Sequence, residues 1–140
     1  MKREFCENIG LVICSFGEVE FITYRMWSVL NMELDPPNSF KARVDKLIGR
    51  LKVVDPSSTK IQALLIDAKK LYDHRNSVAH NPIWSQEKGY VIFVEGKEDA
   101  LELECLKKLH KDIYELSNNL WKENKYFSGE FKYPSNENKI

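Results

Sequence analysis

Apolar residues recur every three or four positions along most of this chain, and three proline-bearing breaks cut the pattern: Asp35-Pro36-Pro37-Asn38, Asp55-Pro56-Ser57-Ser58 and Asn81-Pro82. That period is the signature of amphipathic α-helices. Phe5, Ile9, Val12, Ile13, Phe16, Val19, Met26, Trp27 and Leu30 predict a first helix from about Glu4 to Asn31. Gly10 and Gly17 share one face of it, where a second backbone could come close. Asn38 or Ser39 can cap a second helix carrying Phe40, Val44, Leu47, Ile48 and Leu51. A third carries Ile61, Leu64, Leu65, Ala68, Leu71, Tyr72, Val78 and Ala79, and ends at Asn81 because a residue before proline is biased away from helix. A last helix is predicted from about Leu103 to Lys125, with Leu106, Leu109, Ile113, Leu116, Leu120 and Trp121 facing inward.

The stretch from Ile83 to Gly96 has a different character. Tyr90 to Val94 is a β-branched and aromatic run, preceded by turn-like residues from Gln86 to Gly89. The expected fold is therefore all-α: an antiparallel four-helix bundle with a small β-hairpin or extended excursion between the third and last helices. The connection spans roughly twenty residues, and long connections are often functional. The expected organisation is one helical domain over 1–125 and a C-terminal tail over 126–140. The tail mixes aromatic residues with Ser, Asn, Gly and Pro and is expected to be partly disordered, with Phe127 and Phe131 available to dock it.

Composition narrows the function. Lys+Arg and Asp+Glu are both 21, so the formal net charge is zero. A general electrostatic nucleic-acid binder, which neutralises many phosphates, is disfavoured. An enzyme that grips one phosphate locally is not. The three cysteines, Cys6, Cys14 and Cys105, are odd in number and form no CxxC pair. They read as reduced, half-buried thiols of a cytoplasmic protein. The N-terminal Met-Lys-Arg-Glu does not read as a secretory signal, and the apolar run from Ile9 to Phe16 is too short to span a bilayer.

Arg75-Asn76-Ser77-Val78-Ala79-His80-Asn81-Pro82 concentrates the chemistry at the end of the third helix. Asn76 and His80 are four apart and share a face, with Arg75 on their flank. A fixed cation, an amide and a side chain that titrates near neutral pH suit a phosphodiester. The same basic residues could instead only complement the negative end of the helix dipole. Glu18 and Glu20 on the first helix either orient Arg75 or are solvated. His74 and His110 lack metal-ligand spacing and read as surface residues, and Trp27, Trp84 and Trp121 as core or interface. No phosphate-binding glycine loop, zinc spacing or serine-nucleophile motif is present.

Arg75-Asn-Ser-Val-Ala-His80 resembles the Arg, four-to-six residues, His motif of HEPN domains, in which a polar residue often follows the arginine. The order of helices from about 5 to 125 is similar too. Trp84, the strand-like run and the Leu-rich last helix look like the abortive-infection branch of that family. The resemblance implies a compact all-α bundle and a metal-independent endoribonuclease leaving 2′,3′-cyclic phosphate ends. Arg75 and His80 would be catalytic, Asn76 would support them, and no cofactor would be needed. It implies a toxin or antiviral defence effector with a composite site between two copies, an RNA substrate and an antitoxin protein as partner. Other members are non-catalytic helical dimers that bind a partner protein or nucleotide, the alternative reading here. Some toxins of the family carry a modifiable tyrosine two residues after the histidine. Pro82 stands there in this chain, which argues against control by adenylylation.

Overall fold

The computed structural model describes residues 2–30, 32–86, 89–93 and 100–127. Helix α1 runs over Lys2–Val29, α2 over Phe40–Val54, α3 over Thr59–His80 and α4 over Leu103–Glu123. Strands β1 (Ile83–Gln86), β2 (Gly89–Phe93) and β3 (Ala100–Leu101) form an antiparallel sheet in the order β1-β2-β3 between α3 and α4. The architecture is the expected helical bundle with a small hairpin, to which β3 adds a short third strand. The turn at 87–88, Val94 and Phe131 lie outside the described residues.

The breaks act as the sequence predicts. Ser39 caps α2, its Oγ accepting from the Ala42 amide at 3.4 Å. Asn81 is the C-cap of α3 and adopts extended backbone before Pro82. The apolar stripes meet in one core that includes Val12, Phe16, Val19 and Met26 of α1, Val44, Leu47 and Leu51 of α2, Leu65 and Ala68 of α3, and Leu106, Ile113 and Leu120 of α4. Ile92 of β2 also enters it, so the sheet is seated on the bundle.

Two expectations on burial, for the cysteines and for Trp121, are corrected. Gly10 and Gly17 are exposed, and among the described residues a Cβ placed on either would meet no heavy atom within 4 Å, so their face of α1 is uncovered within the described chain. All three cysteines are exposed, because each sits beside a core position and not on it. Trp121 is 38% exposed, one step of about 100° past the buried Leu120. Past residue 125, Tyr126 is buried in the core and Phe127 lies against it.

A buried carboxylate fastens that end of the chain. The Asp55 carboxylate accepts from the Tyr126 hydroxyl at 2.9 Å and from Ser57 Oγ at 3.0 Å, and pairs with Lys125 Nζ at 2.8 Å. Burial pushes the Asp55 pKa up, but the bonds from Lys125, Tyr126 and Ser57 outweigh it and hold the group below its ordinary value of 3.8. The same contact, with burial first, pushes the Tyr126 phenol well above its usual value. A depressed carboxylate contributes stability at pH values above its unfolded pKa and loses it as pH falls through the folded one. Thermal melts should therefore fall below about pH 4 in the wild type, and Asp55→Asn should remove that part of the dependence while costing about 1–3 kcal/mol at neutral pH. Identical acid profiles for the two proteins would show that Asp55 does not carry it.

Candidate functional site

The end of α3 lies against α1 over an aromatic floor. Phe40 and Tyr72 stack at 5.2 Å with planes 14° apart, and Phe16 tilts against both at 5.1 and 5.9 Å. Arg75 sits at the margin of this cluster, its Cζ 6.0 Å from the Phe16 ring centre. Its guanidinium faces Glu20 of α1, with Nη2 3.6 Å from Oε1 and side chains 21% and 31% exposed. That separation is an ion pair but too long for a hydrogen bond. Arg75 Nε is buried and has no hydrogen-bond partner among the described residues.

Asn76 and His80 point the other way. Both are exposed, as two residues one turn apart on a solvent face should be. Arg75 is five positions before His80, about 140° around the helix and 7.5 Å along it. Backbone geometry thus puts the cation on the inner flank and the imidazole at the solvent edge. The Ser77 hydroxyl between them donates to the Asp73 carbonyl at 3.1 Å, and Val78 is buried, so the backbone that carries the motif is packed in place.

Of the two acidic candidates, only Glu20 reaches Arg75. Glu18 accepts from Trp121 Nε1 at 3.0 Å instead, on the α4 side of α1. The two are separated by about 200° of helix rotation. His74, expected at the surface, is half-buried with an unpartnered Nδ1, and His110 is half-buried between α1 and α4. Of the tryptophans, Trp27 is core, its Nε1 donating to the Leu34 carbonyl at 2.8 Å, whereas Trp84 is 55% exposed.

One residue behind the site escaped the sequence reading. Arg43 of α2 is 1% exposed. Its Nε donates to Thr23 Oγ1 and its Nη1 to the Pro37 carbonyl, both at 2.9 Å. The Tyr24 ring centre lies 3.9 Å from its Cζ. Burial pulls the guanidinium pKa down, while Tyr24, Glu20 and Tyr72 oppose that fall. Thr23 Oγ1 in turn donates to the Glu20 carbonyl at 2.7 Å. A polar chain therefore runs from Arg43 through Thr23 to the turn of α1 that presents Glu20 to Arg75. The signal was legible: Arg43 falls between Phe40 and Leu47 on the buried stripe of α2.

Within one chain, the half-buried guanidinium of Arg75 and the exposed imidazole of His80 therefore lie on different sides of the helix end. Among the described residues, no three His, Cys, Asp or Glu side chains gather as a metal-ligand set. No helix among them is long and apolar enough to cross a membrane. A double-mutant cycle of Glu20→Gln and Arg75→Gln should return a coupling of only about 0.2–1 kcal/mol in urea unfolding, as for a partly exposed pair; a coupling above about 2 kcal/mol would make the pair a structural bridge. No protein-family model, curated protein or solved structure matches the chain.

Proposed function

We propose that this chain is a HEPN-type endoribonuclease, a toxin or antiviral defence effector that cuts RNA without a metal. The observation that carries the reading is the state of Arg75. It is anchored over Phe16, only loosely paired with Glu20, and keeps a buried N–H unpartnered. A buried donor left unsatisfied costs about 1–3 kcal/mol, and such groups call for an explanation beyond packing. The Arg75 side chain as a whole is 21% exposed, so a phosphate could meet its accessible N–H groups while Nε stays inside, and Arg suits phosphate by its planar, bidentate geometry.

In the proposed reaction the 2′-hydroxyl of the RNA gives its proton to His80 and its oxygen attacks the adjacent phosphorus. Arg75 stabilises the charge on the phosphorane oxygens, and Asn76 hydrogen-bonds the backbone alongside. The P–O5′ bond breaks and the leaving oxygen takes a proton, leaving a 2′,3′-cyclic phosphate and a 5′-hydroxyl. One motif offers one histidine for two proton transfers. A homodimer joined near the end of α3 would supply the second from the partner subunit's His80.

A second reading has one observation in its favour. A groove of about 390 Å³ between α1 and α4 is lined by Leu11, Cys14, Glu18, His110, Tyr114 and Trp121. Leu11 and Tyr114 are 46% and 57% exposed. Such a groove suits a helix of a partner protein, whether an antitoxin of an active toxin or the ligand of a non-catalytic dimer.

His80→Ala and Arg75→Ala should each lower RNA cleavage by about 10²- to 10⁴-fold. Both should change stability by about 1 kcal/mol or less, because neither side chain fills the core. Leu65→Ala, at a fully buried position of the same helix, should instead cost about 2–5 kcal/mol and act through folding. Cleavage should persist in EDTA and spare DNA, which lacks the attacking hydroxyl. A normally melting His80→Ala protein that cuts RNA at the wild-type rate would put the non-catalytic reading first.

A further inference from the structure

The hairpin that follows the motif has two unlike faces. Side chains alternate along a strand, and directly paired residues share a face. Ile83 pairs with Ile92 and Trp84 with Val91. Ile92 and Tyr90 turn to the bundle: Ile92 is in the core, and the Tyr90 ring lies 5.9 Å from Phe5 of α1. Trp84, Val91 and Phe93 therefore share the opposite face. Trp84 is 55% and Phe93 41% exposed, their rings edge to face with centroids 6.4 Å apart and planes at 64°. Val91, on the same face, is only 3% exposed.

This aromatic face is tied to the end of the motif helix. Asn81, the C-cap of α3, donates from Nδ2 to the Phe93 carbonyl at 2.6 Å. Four chain steps separate His80 from Trp84, so their Cα atoms are at most about 15 Å apart. That distance is within the reach of a nucleotide next to a phosphodiester held at His80.

Charge points the same way. With 21 basic and 21 acidic residues, the chain has no excess positive charge to favour an RNA affinity built from many phosphate contacts. A substrate gripped at one phosphate needs binding energy of another kind, and stacking of a base on an aromatic ring supplies it without net charge. We propose that Trp84, braced by Phe93, is the stacking subsite for an unpaired nucleobase beside the scissile phosphate, so that the substrate is single-stranded RNA. The proposal rests on the nuclease reading of the motif. A duplex would not fit it, because its bases are stacked on one another and closed to a side chain.

The test uses the full chain and a labelled single-stranded oligonucleotide with 2′-O-methyl groups, which lacks the attacking hydroxyl. Fluorescence anisotropy gives its affinity for wild type, Trp84→Phe and Trp84→Ala. Trp84→Ala should bind about 5- to 150-fold more weakly, the range for loss of one base–aromatic stack, and Trp84→Phe within a few-fold of wild type. Both should melt like the wild type, and the duplex form of the oligonucleotide should bind far more weakly. Equal affinity of wild type and Trp84→Ala, equal binding of the duplex, or no binding by wild type overturns the subsite. So does a dimer that Trp84→Ala converts to monomer in sedimentation, since the face is then a subunit contact. Cleavage of unmodified RNA is scored separately. A wild type that binds through Trp84 but cuts nothing removes the nuclease reading and keeps the subsite. One that cuts RNA while Trp84→Ala binds unchanged does the reverse.

Discussion

The buried guanidinium of Arg43 is the contact on which the arrangement of α1, α2 and the motif depends. Removing such a charge from water costs several kcal/mol unless its donors find partners. Here they do: Thr23 on α1 and the Pro37 carbonyl ahead of α2 accept from it, and Tyr24 covers one face of the group. Those partners come from separate parts of the chain, so all are in place only in the folded bundle. Thr23 passes the constraint on to the Glu20 carbonyl, which fixes the turn of α1 that faces Arg75. Two arginines thus share the field of one glutamate, one buried and held by two hydrogen bonds and a tyrosine ring, the other half-buried with an unpartnered Nε among the described residues.

That contrast separates scaffold from site. Packing over Phe16, Phe40 and Tyr72 and the Lys41–Asp73 ion pair at 2.6 Å hold α2 and α3 together beneath the motif. Above this floor the polar groups are left open: Asn76 and His80 face solvent, and the hairpin turns Trp84 and Phe93 outward. Neither the exposed aromatic rings of the hairpin nor the loosely paired Arg75 is what a self-contained bundle requires. The proposed RNA site uses both, and the groove between α1 and α4 lies apart from it.

Much of the fold was legible because helical periodicity and proline chemistry are local. Ser39, Asn81 and the stripe from Leu106 to Leu120 lie where propensity and spacing put them. The misjudged residues stand where a one-dimensional pattern is ambiguous by one step around the helix. Trp121 follows Leu120 but leaves the core, and Arg43 falls on a buried stripe despite its charge. Gly10 and Gly17 marked a face without saying whether anything would approach it.

The sequence by itself determined the number and order of the helices, their stops, most of the core and the grouping of Arg75, Asn76 and His80 at one helix end. These follow from backbone preferences and a fixed rotation per residue, which act over a few positions. Only the tertiary structure decided that Glu20 and not Glu18 faces Arg75, that Asp55 fastens Tyr126, and that Trp84 stands outside the core. Each of these depends on residues distant in the chain, or on how an element is rotated against its neighbours. Those rotations are set by how whole apolar surfaces fit together, and no local pattern encodes them.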